Sequence, residues 1–333
     1  MSTRAMKKRE WLGCFISIAL LLFLVGPSFP GLSFAAPIDF PRKEITLIVA
    51  YGAGGAVDTL ARGVGQTMGK YLGVPVVVMN IPGGDGIRGL ENLYNSAPDG
   101  YTLGVGQTAD ATVQTIEKPT YDIRKFSYIG RAQAATNFFW VKSDAVFRSV
   151  KEFKTFGKPL RYSTPVLTSH AAVTAMILAN REGFPIRIVG GYPSGQATAL
   201  SVIRGDAEWA GVPLGVGKPF AQAGQLRPIL TIDEKRSPDL PDVPTVAELG
   251  HPDLGAFPNY YWFEGPPKIP TARVKVLEEA LMKTLNDPEF LKWAKGANLD
   301  ISPLNGEETA KMVSKFFEVV DRYKGDIEKH IKR

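Results

Sequence analysis

Cysteine and histidine are nearly missing from this chain of 333 residues, which holds one cysteine, Cys14, and three histidines, His170, His251 and His330. A single thiol builds no disulfide framework, and isolated imidazoles without partners at metal-ligand spacing leave no metal site to expect. Each histidine is expected at the surface or at a cap. The same scarcity works against a serine hydrolase, which needs a histidine base. Ser194, in GGYPSGQ, is the nearest approach to a nucleophile elbow, but Tyr192 stands where the elbow requires glycine. Extremes of charge are absent as well. The formal charge is +6, half of it carried by Arg4, Lys7, Lys8 and Arg9 less Glu10. Lys142, Lys151, Lys154 and Lys158 are spread out, so no nucleic-acid partner is expected. The longest apolar run, Trp11 to Val25, is shorter than the ~20 residues that span a bilayer.

That run follows the basic residues and precedes Pro27, Pro30 and SFAAP, the order of a secretory signal peptide. Cleavage is expected after Ala35, with Ala36 the next choice. It removes Cys14 and leaves a thiol-free mature chain that suits an oxidising compartment. An uncleaved anchor is the competing reading. The remainder is long enough for two ordinary domains.

The stretch ITLIVAYGAGGAVDTLAR, from Ile45 to Arg62, is the most informative. Its β-branched apolar run reads as a strand buried on both faces of a parallel sheet. Leu60, Val64, Met68 and Leu72 then recur every four residues as one helix face, with Asp58 as the expected helix cap and Gly73 as the stop. Gly52, Gly54 and Gly55 remove Cβ atoms between strand and helix, so backbone N–H groups and the helix dipole could receive an anion without an arginine. A dinucleotide fingerprint fails at Val57, and no Lys-Ser or Lys-Thr pair makes a phosphate loop. Taken alone, the glycines would equally serve a tight turn.

The strand 45–50, helix 58–72 and strand 76–79 form a βαβ unit, with a third strand at 103–105. A second α/β series starts after Phe138 to Val141: strands at 160–163, 186–189 and 208–212, with helices at about 169–180 and 196–204. AFPNYYWFEGPPKIP follows, then amphipathic helices beginning near Thr271 and Gly306. Asp58, Asp85, Asp99 and Asp206 sit at turns or helix starts, where local hydrogen bonding accounts for them.

The glycine turn, VPVVVMNIPGGDGIRG, APDGYTLGVG, GYPSGQATAL with RGDAEW, and DVPTVAELG occur in an order that resembles the substrate-binding receptors of tripartite tricarboxylate transporters, the Bug family, over almost the whole mature chain. The resemblance implies an α/β, type II periplasmic-binding-protein fold: two lobes joined by crossing hinge strands that close like a Venus flytrap. It divides the chain into a signal peptide 1–35, a first lobe 36–140, a second lobe 141–257 and a return to the first lobe over 258–333. The residues alone are equally consistent with a simple split into N-terminal and C-terminal domains. The implied protein is a periplasmic monomer that binds a small organic carboxylate, uses no cofactor, and passes its ligand to membrane transporter subunits. A sensor subunit reporting to a membrane kinase is the alternative. A secreted hydrolase or transferase would need a general base that the sequence does not offer.

Open α/β sheets hold ligands at the carboxyl ends of their strands. The loops at those positions are 51–57, 82–86, 106–108, 164–169 and 192–195. In the resembling receptors, backbone amides, hydroxyls and waters from both lobes hold the carboxylate. Carried onto this chain, these are Gly54, Gly55, Ala56 and Thr108 in the first lobe, and Thr168, Ser169, Tyr192 and Gly195 in the second; Tyr51 and Ser194, on the same loops, complete the candidate set. The turn departs from the family in having Gly52 and Ala53 for two prolines, and Ala56 and Val57 without hydroxyls. The loop STPVLTSH is stiffer and more apolar than usual, which favours a carboxylate with an apolar or aromatic body. Tyr260, Tyr261, Trp262 and Phe263 are expected mainly as core packing, with a cleft wall as the other reading.

Overall fold

The computed structural model describes residues 39–255 and 258–331. The expected signal peptide with Cys14, its cut, and the return crossing at Phe257 lie outside the described residues.

The first βαβ unit forms as its sequence pattern demands. Strand β1 (Ile45–Val49) is almost wholly buried and pairs in parallel with β2 (Val76–Asn80) on one side and β3 (Thr102–Gln107) on the other. Between β1 and β2, helix α1 (Ala56–Leu72) buries Leu60, Val64 and Met68, and ends where Gly73 turns left-handed and donates its N–H to Gly69. Helices α2 (Ile87–Tyr94) and α3 (Ala109–Glu117) flank β3. Strands β4 (Ser127–Ala135) and β5 (Asn137–Lys142) are separated by Thr136 alone.

The second series is β6 (Leu160–Ser163), α4 (His170–Glu182), β7 (Ile186–Val189), α5 (Gly195–Arg204), β8 (Trp209–Pro213), α6 (Leu214–Gln222) and β9 (Leu226–Ile232). After the short α7 (Pro252–Gly255) come β10 (Asn259–Gly265), α8 (Thr271–Leu285), α9 (Pro288–Gly296), β11 (Ile301–Asn305) and α10 (Gly306–Ile331). The strands form two sheets, of order β11-β4-β10-β3-β1-β2 and β7-β6-β8-β5-β9.

The chain therefore changes sheets at Thr136. All of β5 belongs to the second sheet, pairing antiparallel with β8 and β9, so the crossing precedes the expected boundary at residue 140. Pairing of β10 with β3 and β4 returns the chain to the first sheet. The first lobe packs Leu47, Val49, Leu60, Val64, Val105 and Phe263 into its core, and the second centres on Trp209, with Phe139, Phe153, Tyr162 and Phe184 set around it edge to face. Helix α10 then ties the lobes together: its Asp326 accepts hydrogen bonds from Asn180 and Arg181 of α4.

The aromatic run of β10 is core. Tyr261, Trp262 and Phe263 are buried, and Tyr260 stacks on Phe316 with the Arg131 guanidinium 4.6 Å from its ring centre.

Candidate functional site

The carboxyl ends of β1, β2 and β3 bring three loops to one edge of the first lobe, and those of β6, β7 and β8 do the same in the second. At the centre is the start of α1. Its N-cap is Gly55, with extended backbone (φ −78°, ψ 174°) and no side chain to satisfy the helix N–H groups. Asp58 is not the cap; it is the third residue of the helix. Its Oδ2 accepts the Gly54 N–H at 2.9 Å and Arg62 Nε at 3.0 Å, and its Oδ1 accepts Asn80 Nδ2 at 2.9 Å. Burial alone would raise this carboxyl, but the hydrogen bonds from Arg62, Gly54 and Asn80 outweigh it and hold it below the usual carboxylate range.

This arrangement divides the expected donors. The Gly54 N–H is committed to Asp58, so Gly54 shapes the turn with its left-handed φ of 79° and offers no donor. Gly55 and Ala56, the first N–H groups of α1, are left with no acceptor among the described residues.

Tyr51, the first residue of the turn, points inward. Its hydroxyl meets Asp110 Oδ1 at 2.5 Å, while Asp110 Oδ2 accepts the Gln107 N–H at 2.8 Å. Asp110 is fully buried at the start of α3, and burial pushes its carboxyl up to about 7. Nearby, Glu264 of β10 is also fully buried, raised well above the ordinary range by desolvation, and accepts Trp262 Nε1 at 2.7 Å. Asp110 thus lies against the turn through Tyr51, while Glu264 sits in β10 opposite Gly104 of β3. The sequence signal for Asp110 was its place two residues beyond Thr108 at a helix start, but its burial was not foreseeable from that.

Thr108, expected as a ligand contact, is engaged within the protein. Wholly buried, it donates from Oγ1 to the Pro258 carbonyl and accepts the Tyr260 N–H, both at 2.9 Å, and so fastens the return segment to β3.

In the second lobe the hydroxyls of Ser169 and Ser194 cap helices α4 and α5, accepting the N–H groups of Ala172 at 3.3 Å and Ala197 at 3.2 Å. Gly195 is the first residue of α5, and Tyr192 is half-buried on the loop before it. The Gly191 N–H donates to the Pro165 carbonyl at 3.1 Å, which joins this loop to STPVLTSH. The two lobes meet directly where Thr168 Oγ1 donates to Asp85 Oδ2 at 3.4 Å. Helix starts from both lobes thus stand at a common cleft.

The histidines divide. His251 meets Glu182 at 2.8 Å and His330 lies 3.3 Å from Asn180, whereas His170 is buried at the head of α4 with its Nδ1 3.2 Å from Asn137. His170 is therefore not a surface residue, and desolvation lowers it to about 3, which keeps it neutral. Among the described residues no group of three or more histidine or acidic side chains could hold a metal ion, and no helix is long and apolar enough to cross a membrane.

Two sheets that exchange strands at Thr136 and again through β10 define a two-lobed α/β architecture. The model of the tripartite tricarboxylate transporter family receptor matches residues 60–330, and the chain belongs to that family. It is 27% identical to the UPF0065 protein of the gbd 5′ region of Cupriavidus necator, over 87% of this chain and 88% of that one, and 28% identical to BugT of Bordetella pertussis, over 74% and 78%. A solved periplasmic transporter superimposes with a TM-score of 0.74 at 26% identity, covering 86% of this chain and 99% of its own. Two Rhodopseudomonas palustris proteins, MatC solved with malate and another with adipate, superimpose at TM-scores of 0.72 and 0.73, with 21% and 20% identity. Each covers 87% of this chain, and 100% and 98% of the respective structure is matched. The fold is the two-lobed periplasmic-binding-protein type, and the family is one of receptors rather than enzymes.

Proposed function

We propose that the mature protein is a periplasmic monomer that captures a small organic carboxylate between its lobes and delivers it to the membrane subunits of a tripartite transporter. The observation that carries this reading is the start of α1: a glycine N-cap without a side chain, two N–H groups with no acceptor among the described residues, and the positive end of a helix dipole. Malate and adipate in two related folds support the carboxylate class. Gly55 and Ala56 take one carboxylate, with Thr168, Ser169, Tyr192 and Gly195 closing from the second lobe. Pro165, Val166 and Leu167 favour an apolar body.

A thermal-shift screen of residues 36–333 against organic acids tests this, because a ligand that binds only the folded form raises its apparent stability. At least one carboxylate is expected to raise the melting temperature in a concentration-dependent way. A panel of such acids that leaves it unmoved overturns the reading.

A further inference from the structure

On the five loops at the strand ends, Asp85 is the only charged side chain; the turn 51–57 and the loops 106–108, 164–169 and 192–195 contain no lysine, arginine, aspartate or glutamate. Its placement is fixed from both sides. Asp85 has a left-handed backbone, φ 51°, between Gly84 at 57° and Gly86 at 96°, a conformation that few residues besides glycine, asparagine and aspartate accept. A Cβ on Gly86 would stand 2.7 Å from Tyr51 Oη, so the corner is seated against the first residue of the glycine turn. From the other side Thr168 of the second lobe donates to Asp85 Oδ2. Among the described residues no cation is paired with this carboxylate. The nearest in sequence, Arg88, is exposed and folds its stem back over Gly83, where its Cδ lies 3.5 Å from the position of a Cβ.

We propose that Asp85 makes the cleft selective for a carboxylate that also carries an ammonium group, over a dicarboxylate of matched length. This rests on the receptor reading above, in which the head of α1 takes one carboxylate. That site holds an anion by amides and a helix dipole, and the cleft loops supply no lysine or arginine for a second. A second carboxylate would share the cleft with Asp85, and the repulsion grows as closure removes water; an ammonium group there is attracted by the same charge. Asp85 is thus a specificity residue that admits one negative end and rejects two.

Calorimetry on the mature protein and on Asp85→Asn tests this with matched pairs: succinate and 4-aminobutanoate, glutarate and 5-aminopentanoate, and adipate and 6-aminohexanoate. Asparagine accepts the left-handed backbone and keeps an acceptor for Thr168, so the variant retains the fold, which melting curves verify. The wild type is expected to prefer the ammonium member of at least one pair by about tenfold or more, and Asp85→Asn to reduce that ratio to within about threefold. Equal or tighter binding of the dicarboxylates by the wild type overturns the inference and leaves the receptor reading standing. An unchanged ratio in Asp85→Asn overturns it too, because the selectivity then arises elsewhere. If no member of any pair binds, the receptor reading falls and takes this inference with it.

Discussion

At the residue scale, Gly54 and Gly55 look alike in sequence and differ in what they require. Gly54 has a left-handed φ of 79°, whereas Gly55 has a φ of −78° and only the Gly52 carbonyl, 3.6 Å away, near the position of a Cβ. Gly55→Val therefore meets no positive φ and no clash, and its cost to folding is that of a poor N-cap, about 1 kcal/mol. A loss of ligand affinity in folded Gly55→Val, measured by calorimetry, is the expected result, since the branched side chain stands over the free N–H groups. Affinity equal to wild type would mean that the turn is only a turn. Asp58→Ala acts on the fold instead. It strands the Gly54 N–H, Asn80 and Arg62 together, so a loss of about 2 kcal/mol in denaturant unfolding is expected, more than the ~1 kcal/mol of a simple cap.

Asp110 adds a pH dependence of definite sign. Its folded value of about 7 lies above the ~3.9 of an unfolded aspartate, so the folded state holds the proton more tightly. Stability from this group is complete below about pH 4 and declines as the pH rises toward 7, by about 4 kcal/mol as an upper figure. Asp110→Asn should flatten that part of the stability profile; identical slopes in urea titrations of the two proteins would show that Asp110 ionises normally.

At the scale of elements, the hinge is fastened by Thr108. Its hydroxyl serves both the Pro258 carbonyl and the Tyr260 N–H from a fully buried position, so Thr108→Val leaves two backbone groups unsatisfied and is expected to cost about 2–4 kcal/mol. A melting temperature unchanged from wild type would refute this role. Thr108 also illustrates what the chain disclosed in advance. The β1–α1–β2 unit was legible because its period, apolar run and glycine stop are all local. The positions of β4, β10 and β11 were not, since those strands find their partners across more than a hundred residues. Phe138 to Val141 lies wholly beyond the crossing, and nothing in that apolar run marked Thr136 as the point of exchange. Within the site, the glycine turn was readable from residue type, whereas Ser169 and Ser194, expected as ligand contacts, turn out to cap α4 and α5. The commitment of Gly54 to Asp58, of Tyr51 to Asp110 and of Thr108 to the return segment depends on which side chain reaches which backbone group, and residue type does not carry that.

At the scale of the whole molecule, motion of the lobes is constrained in front and behind. The cleft loops rise from β1–β3 and β6–β8, while β11 and β9 lie on the far side of the crossing strands. Behind that crossing is an open groove of about 620 Å³, with Arg131, Lys311 and Lys315 on the first lobe and Asp233 and Glu234 on the second. A hinge motion that opens the front and narrows this groove brings unlike charges together, which favours the open form, although Glu308 on the first wall and the pairing of Lys311 with Glu307 at 2.6 Å offset part of the attraction. A ligand that bonds to both lobes must work against it, because only the closed form satisfies both sets of contacts. Saturation with a carboxylate that raises the melting temperature should accordingly reduce the radius of gyration in solution scattering. Glu234→Lys, on an exposed residue outside the cleft, replaces attraction by repulsion in the groove. It should populate the closed form before ligand arrives and tighten binding by up to about fivefold, the range open to exposed charge pairs, with the gain shrinking in high salt. Scattering profiles identical with and without ligand would remove the hinge from the mechanism; a ligand-induced change with affinity untouched by Glu234→Lys would keep the hinge and assign no role to the groove behind it.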